Sequence, residues 1–414
     1  MTAPFCRFCN AELTHTLVDL GKTPLANSYV SEADLAAPDS SYPLHARICP
    51  DCLLVQVESV VPAEAIFSDY AYFSSYSAGW LAHAKAYSKA MIERFGLNKN
   101  SHVVELASND GYLLKNFVEA GIPCLGIEPA ANVAEVAINA GVPTEVAFFG
   151  VKTAKDLVSR GKAADLVAAN NVLAHVPDLN DFVKGICLLL KPSGVATIEF
   201  PHLLKLIQEV QFDTIYHEHY CYFSLVTLTK VFDAHGLYVF DVEQLPTHGG
   251  SLRLFVARKD GEAREISSNV SDVLLLEEQA KLHKLEGYEG FAGKVKLLCA
   301  GLKRFLGYQR EAGRHVVAYG AAAKGNTLLN VCGITAKDIA YVVDKNPHKQ
   351  GHYLPGSRLP VYGPEKIMET KPHYVVILPW NIADEVRKQM NGIGEWGGRF
   401  VVAVPEVQLL DPLS

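Results

Sequence analysis

Two Cys-x-x-Cys pairs near the start of the chain, CRFC (Cys6, Cys9) and CPDC (Cys49, Cys52), constrain its fold more than any other feature. Each pair places two thiolates on one side of a tight loop, and two such loops close a tetrahedral sulfur cage around Zn²⁺. A closed cage has no open coordination position, so it organises the segment and does no chemistry. Metal binding of this kind contributes on the order of 10 kcal/mol of folding free energy. The long interval between the pairs, Asn10 to Ile48, implies an inserted loop or hairpin. The competing readings are four unrelated buried cysteines or a redox pair. The other five cysteines (Cys124, Cys187, Cys221, Cys299, Cys332) are scattered singly, which suits a reducing compartment better than a disulfide framework.

A chain of 414 residues is too long for one ordinary core. Its composition, 49% hydrophobic and 20% charged, is that of a globular protein. It has no run of about eighteen apolar residues and no basic-then-apolar leader, so a cytoplasmic protein without membrane association is expected. A net charge of −7 argues against a nucleic-acid partner.

Residues 102–118, HVVELASNDGYLLKNFV, read as a buried strand (Val103–Leu106), a turn and a helix start. A nucleotide-binding βαβ unit puts its ligand loop at that turn, yet only Gly111 remains of a glycine-rich fingerprint. The next apolar run ends in Glu128, about twenty residues on, where a carboxylate accepts from ribose hydroxyls. The rim of Glu105, Ala107, Asn109, Asp110 and Gly111 is polar and acidic, which repels phosphate and suits a sulfonium with an amino-acid tail. S-adenosylmethionine (SAM) therefore fits better than NAD. A later strand, Leu166–Ala169, runs into Asn170, Asn171 and His175. LLLKPSGVATIEF then reads as a helix end, a turn and a strand, Val195–Phe200. This order builds a doubly wound sheet and resembles the class I SAM methyltransferases.

YHEHYCYF (216–223) holds two histidines, one glutamate and three tyrosines. Methylating an oxygen needs one base near one hydroxyl. Methylating a carbon next to a carbonyl needs a base for the C–H and donors for the developing enolate oxygen. Histidine, glutamate and tyrosine together meet that second demand. The competing reading is a surface loop in which His217 and His219, two apart on a strand, share a face and bind metal.

The chain resembles the SAM-dependent sugar C-methyltransferases, which methylate a carbon of nucleotide-linked 4-keto-deoxysugars. The likeness rests on CRFC…CPDC, SDYAYFSSYS (68–77), VVELASNDG, NNVLAHVP (170–177), FDTIYHEHYCYFS (212–224), THGGSLR (247–253) and GAAAKGN (320–326). It implies a zinc module over 1–75, a SAM-binding domain over 76–258, and a Rossmann-like domain over 259–414 that contributes to nucleotide-sugar binding. It also implies His219 as general base at the sugar C-3, assisted by Glu218, Tyr216, His175 and Tyr72, with Tyr70 the other tyrosine candidate. An imidazole with an ordinary pKa suits that task, and the residues leave open whether His217 or His219 faces the substrate.

HGG (248–250) reads as a hairpin turn, with His248 as a structural or substrate-contacting residue and Arg253 facing a phosphate. Residues 272–308 read as two packing helices. VVAYGAAAKGN, YVVDKNP and YVVILPWN read as a second Rossmann-like unit, in which Lys324 and Asn326 are candidates for the substrate's diphosphate. The alternatives are SAM-dependent O-methylation, a non-catalytic zinc-stabilised binding protein, and an NAD oxidoreductase built on the last unit. The oligomeric state is open, and a monomer is compatible with the sequence.

Overall fold

The computed structural model describes residues 4–62 and 74–413, so the candidate tyrosines Tyr70 and Tyr72 lie outside the described residues. The strands in chain order are β1 (His15–Thr23), β2 (Tyr42–Ile48) and β3 (Val55–Val57) near the cysteines. Then come β4 (Val103–Leu106), β5 (Cys124–Glu128), β6 (Thr144–Val146), β7 (Ala164–Asn170) and β8 (Leu190–Pro201). β9 (Cys221–Tyr222), β10 (Leu237–Leu245) and β11 (Ser251–Arg258) follow. The last six are β12 (Val316–Tyr319), β13 (Val342–Val343), β14 (Val361–Tyr362), β15 (Tyr374–Ile377), β16 (Arg399–Val402) and β17 (Gln408–Leu410).

These strands form three sheets, ordered β1-β2-β3-β9, β10-β11-β8-β7-β4-β5-β6, and β14-β13-β12-β15-β16-β17. In the central sheet β4 to β8 pair in parallel and β11 runs antiparallel to both neighbours. β4 and β5 are buried along their whole length, as strands covered by helices on both faces must be. Three helices are bounded by local chemistry. The hydroxyls of Ser77 and Ser224 and the carboxylate of Asp178 accept backbone N–H bonds at helices Ala78–Phe95, Leu225–Ala234 and Leu179–Leu189. In the third sheet β14, β13, β12, β15 and β16 are parallel, as a Rossmann-like unit requires, and β17 closes the edge antiparallel. Among the described residues, no helix is long and apolar enough to cross a membrane.

The three sheets share cores. One cluster runs from Cys6, Cys49 and Cys52 through Leu54 into Val104, Leu106, Ala169, Phe200 and Tyr220. Another joins Leu17, Leu44, Ile48 and Val55 to Tyr222, to Leu298 and Leu302 of helix Phe291–Glu311, and to Val316 and Leu328. The cysteine module is therefore a wedge between the other two parts.

Two local expectations change. The chain enters β8 directly after Leu189, so Lys-Pro-Ser-Gly is part of a twelve-residue strand with an irregular register rather than a turn before it. HGG does connect the antiparallel pair β10–β11, but through a short 3-10 turn in which His248 has φ 54°. Gly249 in that turn has φ +87°, and a Cβ on it would stand 2.3 Å from the Trp380 ring and 2.9 Å from Gln211 Nε2. Gly249→Ala is expected to displace Trp380 and cost about 1–3 kcal/mol of stability, read by urea denaturation; an unchanged midpoint would show that this contact does not hold the parts together.

Candidate active site

The Sγ atoms of Cys6 and Cys52 are 3.5 Å apart, those of Cys9 and Cys49 3.4 Å, and all four lie within 4.8 Å of one another. With zinc–sulfur bonds of about 2.3 Å a tetrahedral cage needs sulfurs about 3.8 Å apart, so the four fit Zn²⁺. Gln56 Nε2 donates to Cys6 Sγ (3.2 Å), a bond that favours a thiolate. Among the described residues this is the one cluster with metal-ligand geometry, so His217 and His219 form no second site.

At the carboxyl end of β4 the chain turns sharply, with φ 54° at Ala107, 50° at Asn109 and 78° at Gly111. The Glu128 carboxylate ties this loop down by accepting from Asn109 N and Ala130 N, both at 2.8 Å, which leaves lone pairs for a ligand. Asn109 Oδ1 and Asp110 Oδ2 accept from Ser74 N (2.9 Å) and Ser75 N (3.0 Å), anchoring the segment before helix Ala78–Phe95. Gly111 serves packing, since a Cβ there would press on Val142 and Ala137. Several buried polar atoms along this sheet edge lack a partner among the described residues: Glu105 Oε2, Asp110 Oδ1, Asn170 Oδ1 and both side-chain atoms of Asn171. Burial, then the charges of Glu128 and Asp110, push the Glu105 carboxyl well above the usual carboxylate range. A crowd of carboxylates with unmet acceptors needs a cation with hydrogen-bond donors. The ammonium and sulfonium of SAM answer it, and a pyrophosphate does not.

The second group lies beside it. Residues 216–219 form a turn in which His219 N donates to Tyr216 O (2.9 Å), which brings residues three apart together and sends the two between them elsewhere. The Tyr216 hydroxyl donates to His219 Nε2 (2.8 Å), and His219 Nδ1 donates to Thr214 O (2.9 Å). A carbonyl can only accept, so His219 is the Nδ1–H tautomer and Nε2 carries the lone pair. His175, from the turn after β7, stands edge-on to His219 at 4.6 Å and bonds the Glu218 carbonyl. Burial, then His175, hold the His219 pKa well below the ordinary histidine value, and burial lowers His175 to about 4. The imidazole is therefore neutral at pH 7 but a weaker base than an ordinary histidine, which is a change from the sequence expectation. His219, His175, His248 and Lys324 each keep part of their surface accessible, and the last three all act electrostatically on His219, so the four lie near one another.

His217 takes no part in this group. Its Nε2 donates to Pro43 O (3.2 Å) and its ring packs on Tyr42, both in the cysteine module. Among the described residues Glu218 makes no bond to the His219 imidazole; its side chain meets the cysteine module. Its two carboxylate oxygens accept from Asn27 Nδ2 at 2.8 and 2.9 Å. Lys324 Nζ donates to Asn381 Oδ1 (2.7 Å) and sits 4.8 Å above the Trp380 ring, while Trp380 Nε1 donates to Asp213 Oδ2 (2.7 Å). Burial, then Lys324, depress the His248 pKa to about 4, and His248 Nε2 has no partner among the described residues.

Two expected substrate contacts are instead structural. Arg253 is 5% exposed, and its two terminal nitrogens are paired with Glu199 (3.0 Å) and Glu243 (2.8 Å), so its charge is already matched by carboxylates and only the buried Nε lacks a partner among the described residues. Asn326 Nδ2 donates to Ala26 O (2.9 Å) and its Oδ1 accepts from Asn330, so it joins the third sheet to the cysteine module. Sequence reasoning missed Asn27, Asp213, Trp380 and Asn381. Asp213, Trp380 and Asn381 lay inside stretches singled out for other residues, and Asn27 lay in the unexplained insert between the cysteine pairs.

Strand order and acidic loop define a class I SAM-dependent methyltransferase. Three family models match in succession: "Putative zinc binding domain" over 6–67, "Methyltransferase domain" over 80–242 and "C-methyltransferase C-terminal domain" over 246–405. The C-methyltransferase NovU of Streptomyces niveus is 34% identical over 409 residues, covering 99% of this chain and 97% of that protein. A ubiquinone biosynthesis O-methyltransferase of Methylobacterium sp. (strain 4-46) is 30% identical over 97 residues, 22% of this chain and 38% of that one. Among solved structures, the magnesium protoporphyrin IX methyltransferase ChlM of Synechocystis PCC 6803 with bound SAM is 14% identical, with TM-score 0.33, over 44% of this chain and 80% of that one. The chain belongs to the SAM-dependent C-methyltransferase family with an N-terminal zinc-binding module.

Glu105 is raised above its unfolded pKa, so its contribution favours the fold at low pH and turns against it as pH rises past about 4.5. Bound SAM offsets that repulsion. The rise in melting temperature caused by SAM is therefore expected to grow from pH 5 to pH 8, and a rise independent of pH would contradict the carboxylate-cluster account of the pocket.

Proposed function

We propose that this enzyme methylates carbon, at C-3 of a nucleotide-linked 4-keto-deoxysugar, on the way to a branched sugar. The observation that supports the reading is the tautomer of His219 fixed by Thr214 O, which leaves Nε2 unprotonated and accepting from the Tyr216 hydroxyl. The resemblance over YHEHYCYF and GAAAKGN supports the substrate class.

In this mechanism Glu105, Ala107, Asn109, Asp110, Gly111, Glu128, Asn170 and Asn171 form the SAM pocket, with the acidic members facing its positive groups. Bound SAM supplies an electrophilic methyl group on sulfur. His219 Nε2 takes the proton from the carbon next to the sugar carbonyl, and the electron pair of that C–H bond moves into the carbonyl. The Tyr216 hydroxyl, freed from Nε2, donates to the resulting enolate oxygen, with Lys324 and His248 on the other side of the recess. Such donors matter because a ketone C–H is far less acidic than an imidazolium, and a histidine of lowered pKa widens that gap. The enolate carbon then bonds the methyl group as its bond to sulfur breaks. His175 packs His219 in place, and Glu218 accepts from a sugar hydroxyl. Tyr72 is the further donor that the family resemblance assigns.

His219→Asn keeps the ring-sized polar group without a base. It is expected to bind SAM with unchanged affinity in calorimetry and to lower methyl transfer to a 4-keto nucleotide sugar by 10²-fold or more. Product NMR is expected to show a C–CH₃ and no O–CH₃ resonance. Near-normal turnover by His219→Asn, or an O-methyl product, would remove this reading.

A further inference from the structure

Glu218 is 3% exposed, at the meeting point of all three parts of the molecule, and the side chain that hydrogen-bonds its carboxylate belongs to a different part. That side chain is Asn27, in the TPLANSYV insert between the two cysteine pairs. The insert is clamped along its length. Ala26 O accepts from Asn326 Nδ2 (2.9 Å), the Tyr29 hydroxyl donates to Ala321 O (2.5 Å), and Val30 and Tyr353 exchange backbone bonds, each at 2.9 Å. A loop built only to link two metal-binding turns has no need of three such ties to the Rossmann-like unit about 300 residues away.

We propose that Asn27 is a positioning residue for methyl transfer. Presented by the zinc module and fixed by the C-terminal unit, it holds the Glu218 carboxylate ionised and in one orientation. The proposal rests on the reading above in one respect, that Glu218 serves as an acceptor in the substrate recess.

The chemistry is that of a buried carboxylate. An ion taken out of water needs donors, and Asn27 Nδ2 supplies one that both oxygens share. Burial raises the Glu218 carboxyl to about 7, with Asn27 pulling the other way. The titratable groups around it are Tyr29 on the same insert, with Lys349 and Asp344 behind it, and His175, which bonds the Glu218 carbonyl. His219 and Tyr216 stand across the turn. Glu218 thus sits where loss of one neutral donor changes its charge at working pH. The same arrangement makes charge in the recess depend on docking of the insert, so that three separate stretches of chain must be in place before the acceptor exists.

The test uses full-length, zinc-loaded protein. Asn27→Leu is compared with Asn27→Ser, which keeps one donor, and with Glu218→Gln. The acid limb of the kcat/KM profile is expected to move to higher pH by a unit or more in Asn27→Leu, with a loss of about tenfold at pH 6 and recovery by pH 9. Asn27→Ser is expected to fall between. The double variant with Glu218→Gln is expected to be no worse than Glu218→Gln alone. An unmoved acid limb, or additive losses in the double variant, would overturn the proposal. A substrate-free readout separates it from the sugar assignment: ¹³C-carboxyl NMR of the complex with S-adenosylhomocysteine, with Glu218 assigned by its loss in Glu218→Gln. An upward move of its midpoint in Asn27→Leu, or in Asn27→Ser should the leucine variant not fold, supports Asn27, and an unmoved midpoint refutes it. Wild-type protein that transfers no methyl group to the keto-sugar would sink the substrate reading alone.

Discussion

The structure depends on a two-residue pairing between distant parts of the chain. β3, which follows the second cysteine pair, aligns Val55 with Tyr222 and Gln56 with Cys221. Val57 N extends the pairing by donating to Tyr220 O (3.0 Å), and Tyr220 N donates in turn to Ala174 O (2.7 Å) beside His175. The turn carrying Tyr216 and His219 is therefore held between a metal-organised sheet and the ligand edge of the methyltransferase sheet. A two-residue strand has almost no stability alone. What makes it rigid is that Cys6, Cys49 and Cys52 share a core with Tyr220, Cys221 and Phe223, so metal binding stabilises the catalytic turn without metal taking part in the reaction.

The recess is also sorted by charge. Carboxylates crowd one side, where burial and then neighbouring carboxylates raise the cost of ionising Glu105, and burial raises that of Glu128. Histidines kept neutral by burial line the other side, along with one buried lysine whose charge Asp213 helps to retain. In the proposed mechanism a cationic methyl donor is drawn to the first side, and a neutral base with donors for a developing oxyanion fills the second. Each side is poor at the other's task, which orients the two reactants before any bond changes.

Much of this was legible in the sequence because it is local. A Cys-x-x-Cys turn, a strand ending in an acidic loop and a tyrosine three residues before a histidine each carry their geometry within a few residues. The C-methyltransferase family and both bound groups followed from such stretches. What was not legible is pairing across the chain. Arg253 looked available for phosphate because nothing near it in sequence is acidic in the right place. In the sheet it lies directly opposite Glu199 on one side and Glu243 on the other. His217 and His219 looked equivalent as a strand pair, until a turn at 216–219 separated them. Asn27 is an amide in a loop and Asn326 one in the helix Ala323–Val331, and only the docking of the insert shows that the first meets Glu218 and the second meets backbone.

Hydrogen–deuterium exchange with and without zinc tests the dependence of the catalytic turn on the metal module most directly. On removal of the metal, residues 215–223 are expected to lose protection together with 42–57, while β4 and β5 stay protected. Protection of 215–223 that survives complete zinc removal would contradict it, and would mean that the methyltransferase sheet alone holds His219 in place.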